Sequence, residues 1–79
     1  MYLVNTLVRE AAAHEAFGLS DRERQVLQLI VAGSTNPEIA QHLCISRSTA
    51  KHHVASIIHK LGAANRCEAA VVALRAELV

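Results

Sequence analysis

Apolar residues recur at helical spacing in four segments of this chain, and each segment opens on a side chain able to cap a helix. Ser20-Asp21-Arg22-Glu23 has the form of a capping box, in which the serine hydroxyl accepts from the Glu23 N–H and the glutamate reaches back to the cap. The helix that follows puts Val26, Leu27, Ile30 and Val31 on one stripe and stops at Gly33. Asn36-Pro37 reads as the next start, with asparagine as the cap and proline at the first helical position. That helix is short and turns Ile39, Ala40 and Leu43 inward. Ser46 caps a third helix from about Arg47 to Leu61, ended by Gly62, with Ala50, Val54, Ile57, Ile58 and Leu61 on its inner stripe. Asn65-Arg66-Cys67-Glu68 opens a last helix, expected from Arg66 to Leu78. Residues 3 to 17 carry an apolar pattern of their own, with Leu3, Val4, Leu7, Val8, Ala11 and Ala12, and Gly18 separates them from the rest. The predicted fold class is all-α: a four-helix bundle over residues 19–79, preceded by an additional N-terminal helix or linker over residues 1–18.

The turn between the second and third helices, Cys44-Ile45-Ser46, is three residues long and lacks glycine and proline. A short helix, a tight turn and a longer helix form a helix-turn-helix unit, although the same spacing also describes an ordinary helical hairpin. The outer face of the third helix separates the two. It carries Ser48, His52, Ala55, Ser56 and His59, with Lys51 flanking one side and His53 and Lys60 the other. None of these is acidic or bulky. A helix stabilised for its own sake would carry Glu–Lys pairs four residues apart, and this one has none. Small polar side chains bordered by cations suit a groove floor edged by phosphates.

Charge and composition change this picture in one respect. The net charge of the 79 residues is only +1, but no acid lies between Glu38 and Glu68. That stretch holds Arg47, Lys51, Lys60 and Arg66 together with His42, His52, His53 and His59, and phosphates respond to local field rather than to the sum. The length fits one domain. No apolar run reaches the roughly 20 residues of a membrane span, and no signal-peptide pattern opens the chain, so a cytoplasmic location and no membrane partner are expected. Cys44 and Cys67 form neither a disulfide framework nor a metal spacing. Cys44 is expected to pack in the core and Cys67 to be a plain helical residue. His52 and His53 point about 100° apart, and His52 and His59 lie about 10 Å apart along the axis, so no metal site is expected among them. No nucleophile has a base partner and there is no glycine-rich phosphate loop; neither an enzyme nor a cofactor is expected.

The last helix has two apolar faces. Ala69, Val72, Ala73 and Ala76 form one, and Ala70, Val71, Leu74 and Leu78 the other. One face can cover the core, and the second calls for a cover of its own. The expectation is a two-fold homodimer through Ala70, Val71, Leu74 and Leu78; the alternative cover is the N-terminal helix.

Several ordered stretches resemble one family. Leu19-Ser20-Asp21-Arg22-Glu23-Arg24-Gln25-Val26-Leu27 and Gly33-Ser34-Thr35-Asn36-Pro37-Glu38-Ile39-Ala40 are similar to the first two helix starts of LuxR/GerE-type (NarL/FixJ-type) helix-turn-helix domains. Ile45-Ser46, Thr49, Lys51, His53-Val54 and Lys60-Leu61-Gly62 resemble the recognition helix, and Asn65-Arg66 with Glu68-Ala69 the last helix start. The resemblance spans about residues 19 to 76 and implies a bacterial transcription regulator that binds duplex DNA as a dimer. Carried over by position, Lys51, His52 and Ala55 match base-contacting positions, and Thr49 and Lys60 match positions that usually touch phosphates. On the same face Ser48 is also expected to face bases, Thr35 and Arg47 are expected to face phosphates, and His53 is expected to be packed or phosphate-facing. Ala55 replaces a longer polar side chain and can offer only apolar contact, such as to a thymine methyl. Pro37 stands where a basic residue is common. Further partners implied for such a regulator are an upstream sensory or receiver domain and RNA polymerase.

Overall fold

A computed structural model of the chain describes residues 17–79. The expected N-terminal helix therefore lies, but for Phe17, outside the described residues. Four helices and no strand are found among them: α1 (Asp21–Val31), α2 (Asn36–Leu43), α3 (Arg47–Lys60) and α4 (Arg66–Arg75). α3 packs against α2, α1 and α4, and α4 also closes onto α1. The core between them is Leu19, Val26, Leu27, Ile30, Ile39, Ala40, Ala50, Val54, Ile57, Leu61, Ala69, Ala73 and Leu78. Leu19, Val26, Leu27, Ile39 and Ile57 are its largest fully buried side chains. Alanine at 50, 69 and 73 lets neighbouring backbones approach closely.

Each helix begins on a side-chain cap. Ser20 Oγ accepts from Glu23 N at 3.1 Å, while Ser20 N donates to Glu23 Oε1 at 2.9 Å. For α2 the cap is Thr35, not the expected Asn36: Thr35 Oγ1 accepts from Glu38 N at 3.3 Å and Thr35 N donates to Glu38 Oε1 at 2.8 Å. Glu38 lies three residues after Thr35, the spacing a capping box needs, and Asn36 is left free for another contact. Hydrogen bonds from the Thr35 backbone and side chain to the exposed Glu38 carboxylate lower its pKa. Ser46 and Asn65 cap α3 and α4 through the N–H groups of Thr49 and Glu68.

The helix ends share one geometry that residue types revealed only in part. After each helix one residue turns left-handed, and the N–H of the next residue reaches back five positions to a carbonyl. Gly33 and Gly62 take this place after α1 and α3, with φ of 91° and 65°. Cys44 and Glu77 take it after α2 and α4, with φ of 57° and 56°. The long bonds are Ser34 to Leu29, Ile45 to Ala40, Ala63 to Ile58 and Leu78 to Ala73, all between 2.8 and 3.0 Å. This is the Schellman arrangement, which also drives the residue after the left-handed one inward.

Two expectations are corrected as a result. Cys44 is exposed rather than packed in the core, because the left-handed residue of such a cap points to solvent and Ile45 turns inward instead. Leu78 is 7 % exposed and belongs to the core, not to an outer face of α4. α4 ends at Arg75, so Leu78 leaves the helical register and folds back under it. Replacing Cys44 by glycine is expected to stabilise the domain. Relief of left-handed strain, about 1–2 kcal/mol, exceeds the added unfolded-state freedom of glycine, leaving roughly 0.5–1 kcal/mol. Thermal unfolding should show a midpoint several degrees higher; an unchanged or lower midpoint would count against strain at this turn.

Candidate nucleic-acid interface

The short turn places α3 across α2 with one long side uncovered. Ser48, Lys51, His52, Ala55 and His59 are all exposed along it, and Ala50, Val54 and Ile57 are buried opposite. At about 100° per residue, Ser48, His52, Ala55 and Lys51 span one continuous arc. The four residues expected to face bases thus share one exposed face. Among the described residues Lys51 has no ion-pair partner. The His52 and His53 rings are tilted by 58° with centroids 6.4 Å apart, and His53 is half-buried.

The N-terminus of α3 differs electrostatically from the other three. α1 has Asp21 and Glu23 in its first turn, α2 has Glu38 and α4 has Glu68, each countering the positive end of a helix dipole. α3 has no acid there and carries Arg47 instead. An isolated helix would be weakened by that choice, whereas a helix that meets an anion is helped by it. Thr49 adds to the same end. Its Oγ1 accepts from Ser46 Oγ at 2.8 Å, which leaves its own hydroxyl hydrogen to donate outward. Thr35 is exposed, but its side chain is engaged with Glu38: the hydroxyl oxygen accepts from Glu38 N and the side chain also hydrogen-bonds the Glu38 carboxylate.

Ser56 and Lys60 depart from the expected outer face. Ser56 is half-buried and donates to Glu23 Oε2 at 2.7 Å. Lys60 Nζ donates to Glu23 Oε1 at 2.7 Å and to the Gly18 carbonyl at 3.1 Å. Lys60, expected to face phosphate, is committed to the chain itself. The acceptor, Glu23, is 4 % exposed. Burial pushes its carboxyl upward, but the hydrogen bonds from Lys60, the Ser20 backbone and Ser56, with the Lys60 charge, outweigh it and hold the pKa at about 2. The Glu23 position is legible in sequence only as the third residue of a capping box; nothing along the chain signals that its far end meets α3.

A second tie escaped the sequence. Arg66, in the first turn of α4, donates through Nη1 to Asn36 Oδ1 at 2.5 Å and through Nη2 to the Ser34 carbonyl. It fastens the loop that holds Thr35 to the start of the last helix. On α4 itself, Ala70 is half-buried, while Val71 and Leu74 are 43 % and 59 % exposed. Val79, 44 % exposed, follows the helix end.

Comparison with known proteins agrees with this geometry. A model of the family described as bacterial regulatory proteins, luxR family, matches residues 18–73. The probable transcriptional regulatory protein NarL of Mycobacterium tuberculosis (strain H37Rv) is 42 % identical over 72 residues, covering 91 % of this chain and 33 % of that protein. The spore germination protein GerE of Bacillus subtilis (strain 168) is 42 % identical over 57 residues, covering 72 % of this chain and 77 % of that protein. The chain thus spans about a third of the NarL relative and about three quarters of GerE. The solved structure of the transcription factor GerE superposes with a TM-score of 0.70 at 35 % identity, over 76 % of this chain and 90 % of that one. No helix among the described residues is long and apolar enough to cross a membrane. With the fold, the helix order and the sequence all in agreement, the chain belongs to the luxR family of bacterial regulatory proteins.

Proposed function

We propose that this chain binds duplex DNA sequence-specifically to regulate transcription, with α3 in the major groove. The observation that carries the reading is the exposed, acid-free face of α3 beneath a helix N-terminus that lacks any countercharge. Ser48, Lys51, His52 and Ala55 face the base edges. Thr35, Arg47, Thr49 and His53 face phosphates on either side. Lys60 is left out of this set because Glu23 holds it. Family membership and the roles of the relatives, a probable transcriptional regulatory protein and a transcription factor, support the same reading.

Fluorescence anisotropy of a mixed-sequence duplex, titrated with the chain at several salt concentrations, tests it. Affinity should fall linearly in log salt, with about 0.9 of slope for each phosphate neutralised and several phosphates per chain. No binding at low salt would end the proposal and turn attention to protein partners.

Two copies pair through the outer stripe of α4. Val71 and Leu74, with Val79 beyond the helix, are the large apolar side chains most exposed among the described residues, and they lie together at one end of the chain. Leu74→Glu should therefore yield a monomer in sedimentation equilibrium and weaken binding to a two-fold site. A variant that stays dimeric would place the interface elsewhere. In a longer regulator, an upstream sensory or receiver domain would set when this domain meets DNA and RNA polymerase.

A further inference from the structure

The Glu23 carboxylate joins α1 to the side of α3 that borders the base-facing stripe. Both of its oxygens are used. Oε1 accepts from the Ser20 backbone and from Lys60, and Oε2 accepts from Ser56. Ser56 and Lys60 are four residues apart, one turn along the same side of α3. Two contacts one turn apart on a buried carboxylate fix the rotation of a helix about its axis, which a single contact does not. Ser56 stands only about 40° around the helix from His52, so the anchored side and the base-facing side are neighbours. The same carboxylate closes the capping box of α1, which fixes its orientation relative to that helix.

The pairing has an electrostatic consequence as well. Lys60 is the last residue of α3, and its ammonium is partly open to solvent at the edge of the proposed interface. Left free, it would add one more cation to attract phosphate whatever the DNA sequence. Bound to Glu23 at 2.7 Å, it contributes almost no net charge.

We propose that Glu23 is a specificity-determining positioning residue, which sets the rotation of α3 for base reading and withholds the Lys60 charge from the DNA backbone. The proposal rests on the DNA-binding reading above. It names a part of the protein that touches no base yet decides how well bases are distinguished. Non-specific affinity is lowered, because one cation is neutralised, and discrimination is raised, because the base-facing side chains are held in one orientation.

Salt titrations on the mixed-sequence duplex, and on a duplex selected with the unaltered chain from a random pool, test it. Glu23→Gln keeps the size and the capping geometry but frees the Lys60 charge. It should steepen the log-affinity against log-salt slope on mixed DNA by about 0.9 per chain, and reduce the affinity ratio between selected and mixed DNA severalfold. The double variant Glu23→Gln/Lys60→Met removes both charges and should return the slope to that of the unaltered chain. It also carries the test should the single variant fail to fold. Arg47→Ala supplies the scale, since loss of a phosphate-facing cation lowers the slope by about one.

A double variant whose slope falls by about 0.9 would overturn the proposal, because Lys60 would then be a phosphate contact in its own right. A Glu23→Gln variant with unchanged slope and unchanged ratio would overturn it too. If the unaltered chain shows no binding to either duplex, the DNA-binding reading itself fails and takes this inference with it.

Discussion

Lowering the pH from 5 to 2 is expected to cost this domain about 3 kcal/mol of stability through one residue, Glu23. Its carboxyl pKa is lowered from 4.5 to about 2 in the folded chain, so folding favours the ionised form. The stabilisation is fully present above pH 4.5 and is lost as the pH falls from there through about 2. A difference of that size corresponds to at most about 3–4 kcal/mol, at about 1.4 kcal/mol per pH unit, most of it lost between pH 5 and 2. For a small domain this is a large part of the total, which is commonly about 5–15 kcal/mol. The physical cause is local. Protonation removes the charge that Lys60 pairs with and one of the acceptor sites shared by Ser20, Ser56 and Lys60. Urea unfolding followed by far-UV circular dichroism at pH 5, 3.5 and 2 measures it, with Glu23→Gln as reference. The reference should begin less stable and lose correspondingly less over the same range. Equal losses in both proteins would show that other carboxylates govern the acid limb.

Truncating Lys51 to alanine is expected to weaken binding to a selected site by ~1–3 kcal/mol, or about 5- to 150-fold, if its ammonium reads a guanine edge. The side chain is exposed on the open arc of α3, and among the described residues it has no ion-pair partner to leave behind. Its removal should therefore leave folding nearly unchanged, and the whole effect should appear in binding. Anisotropy on selected and mixed duplexes separates two roles. A base contact loses more affinity on the selected site than on mixed DNA. A phosphate contact loses the same on both and flattens the salt slope by about one. Unchanged affinity for the selected site would remove Lys51 from the interface altogether.

The core of this domain was largely legible as helical periodicity. Val26, Leu27 and Ile30, then Ile39 and Ala40, then Ala50, Val54, Ile57 and Leu61 all follow from the 3.6-residue repeat, and all are buried. So were three of the four N-caps, because a capping oxygen three residues before the N–H it accepts from is a local signal. The exception, Thr35 for Asn36, came from two capping residues side by side, where the position of Glu38 decides between them.

The helix ends were harder. Gly33 and Gly62 announce a left-handed residue; Cys44 and Glu77 do not, since neither type favours that conformation. Propensity alone carries α4 onward through Ala76, Glu77 and Leu78, whereas the structure ends it at Arg75. The gain from burying Leu78 against the bundle outweighs the strain at Glu77. That gain exists only once the other helices are in place.

The exposed stripe of α3 was likewise local information, since periodicity plus an absence of acids defines it. The contacts that hold the stripe at its angle were not. Glu23 meets Ser56 and Lys60 across 33 and 37 residues of chain, and Arg66 meets Asn36 across 30. The sequence by itself determined that four helices form, three of their four caps and the inner faces of the first three, because each of these depends on neighbours within about one or two turns. Only the tertiary structure decided that Lys60 is an internal partner rather than a free cation, that Cys44 lies outside and that Leu78 lies inside. Those outcomes depend on which distant groups the packed helices bring within hydrogen-bonding or van der Waals reach.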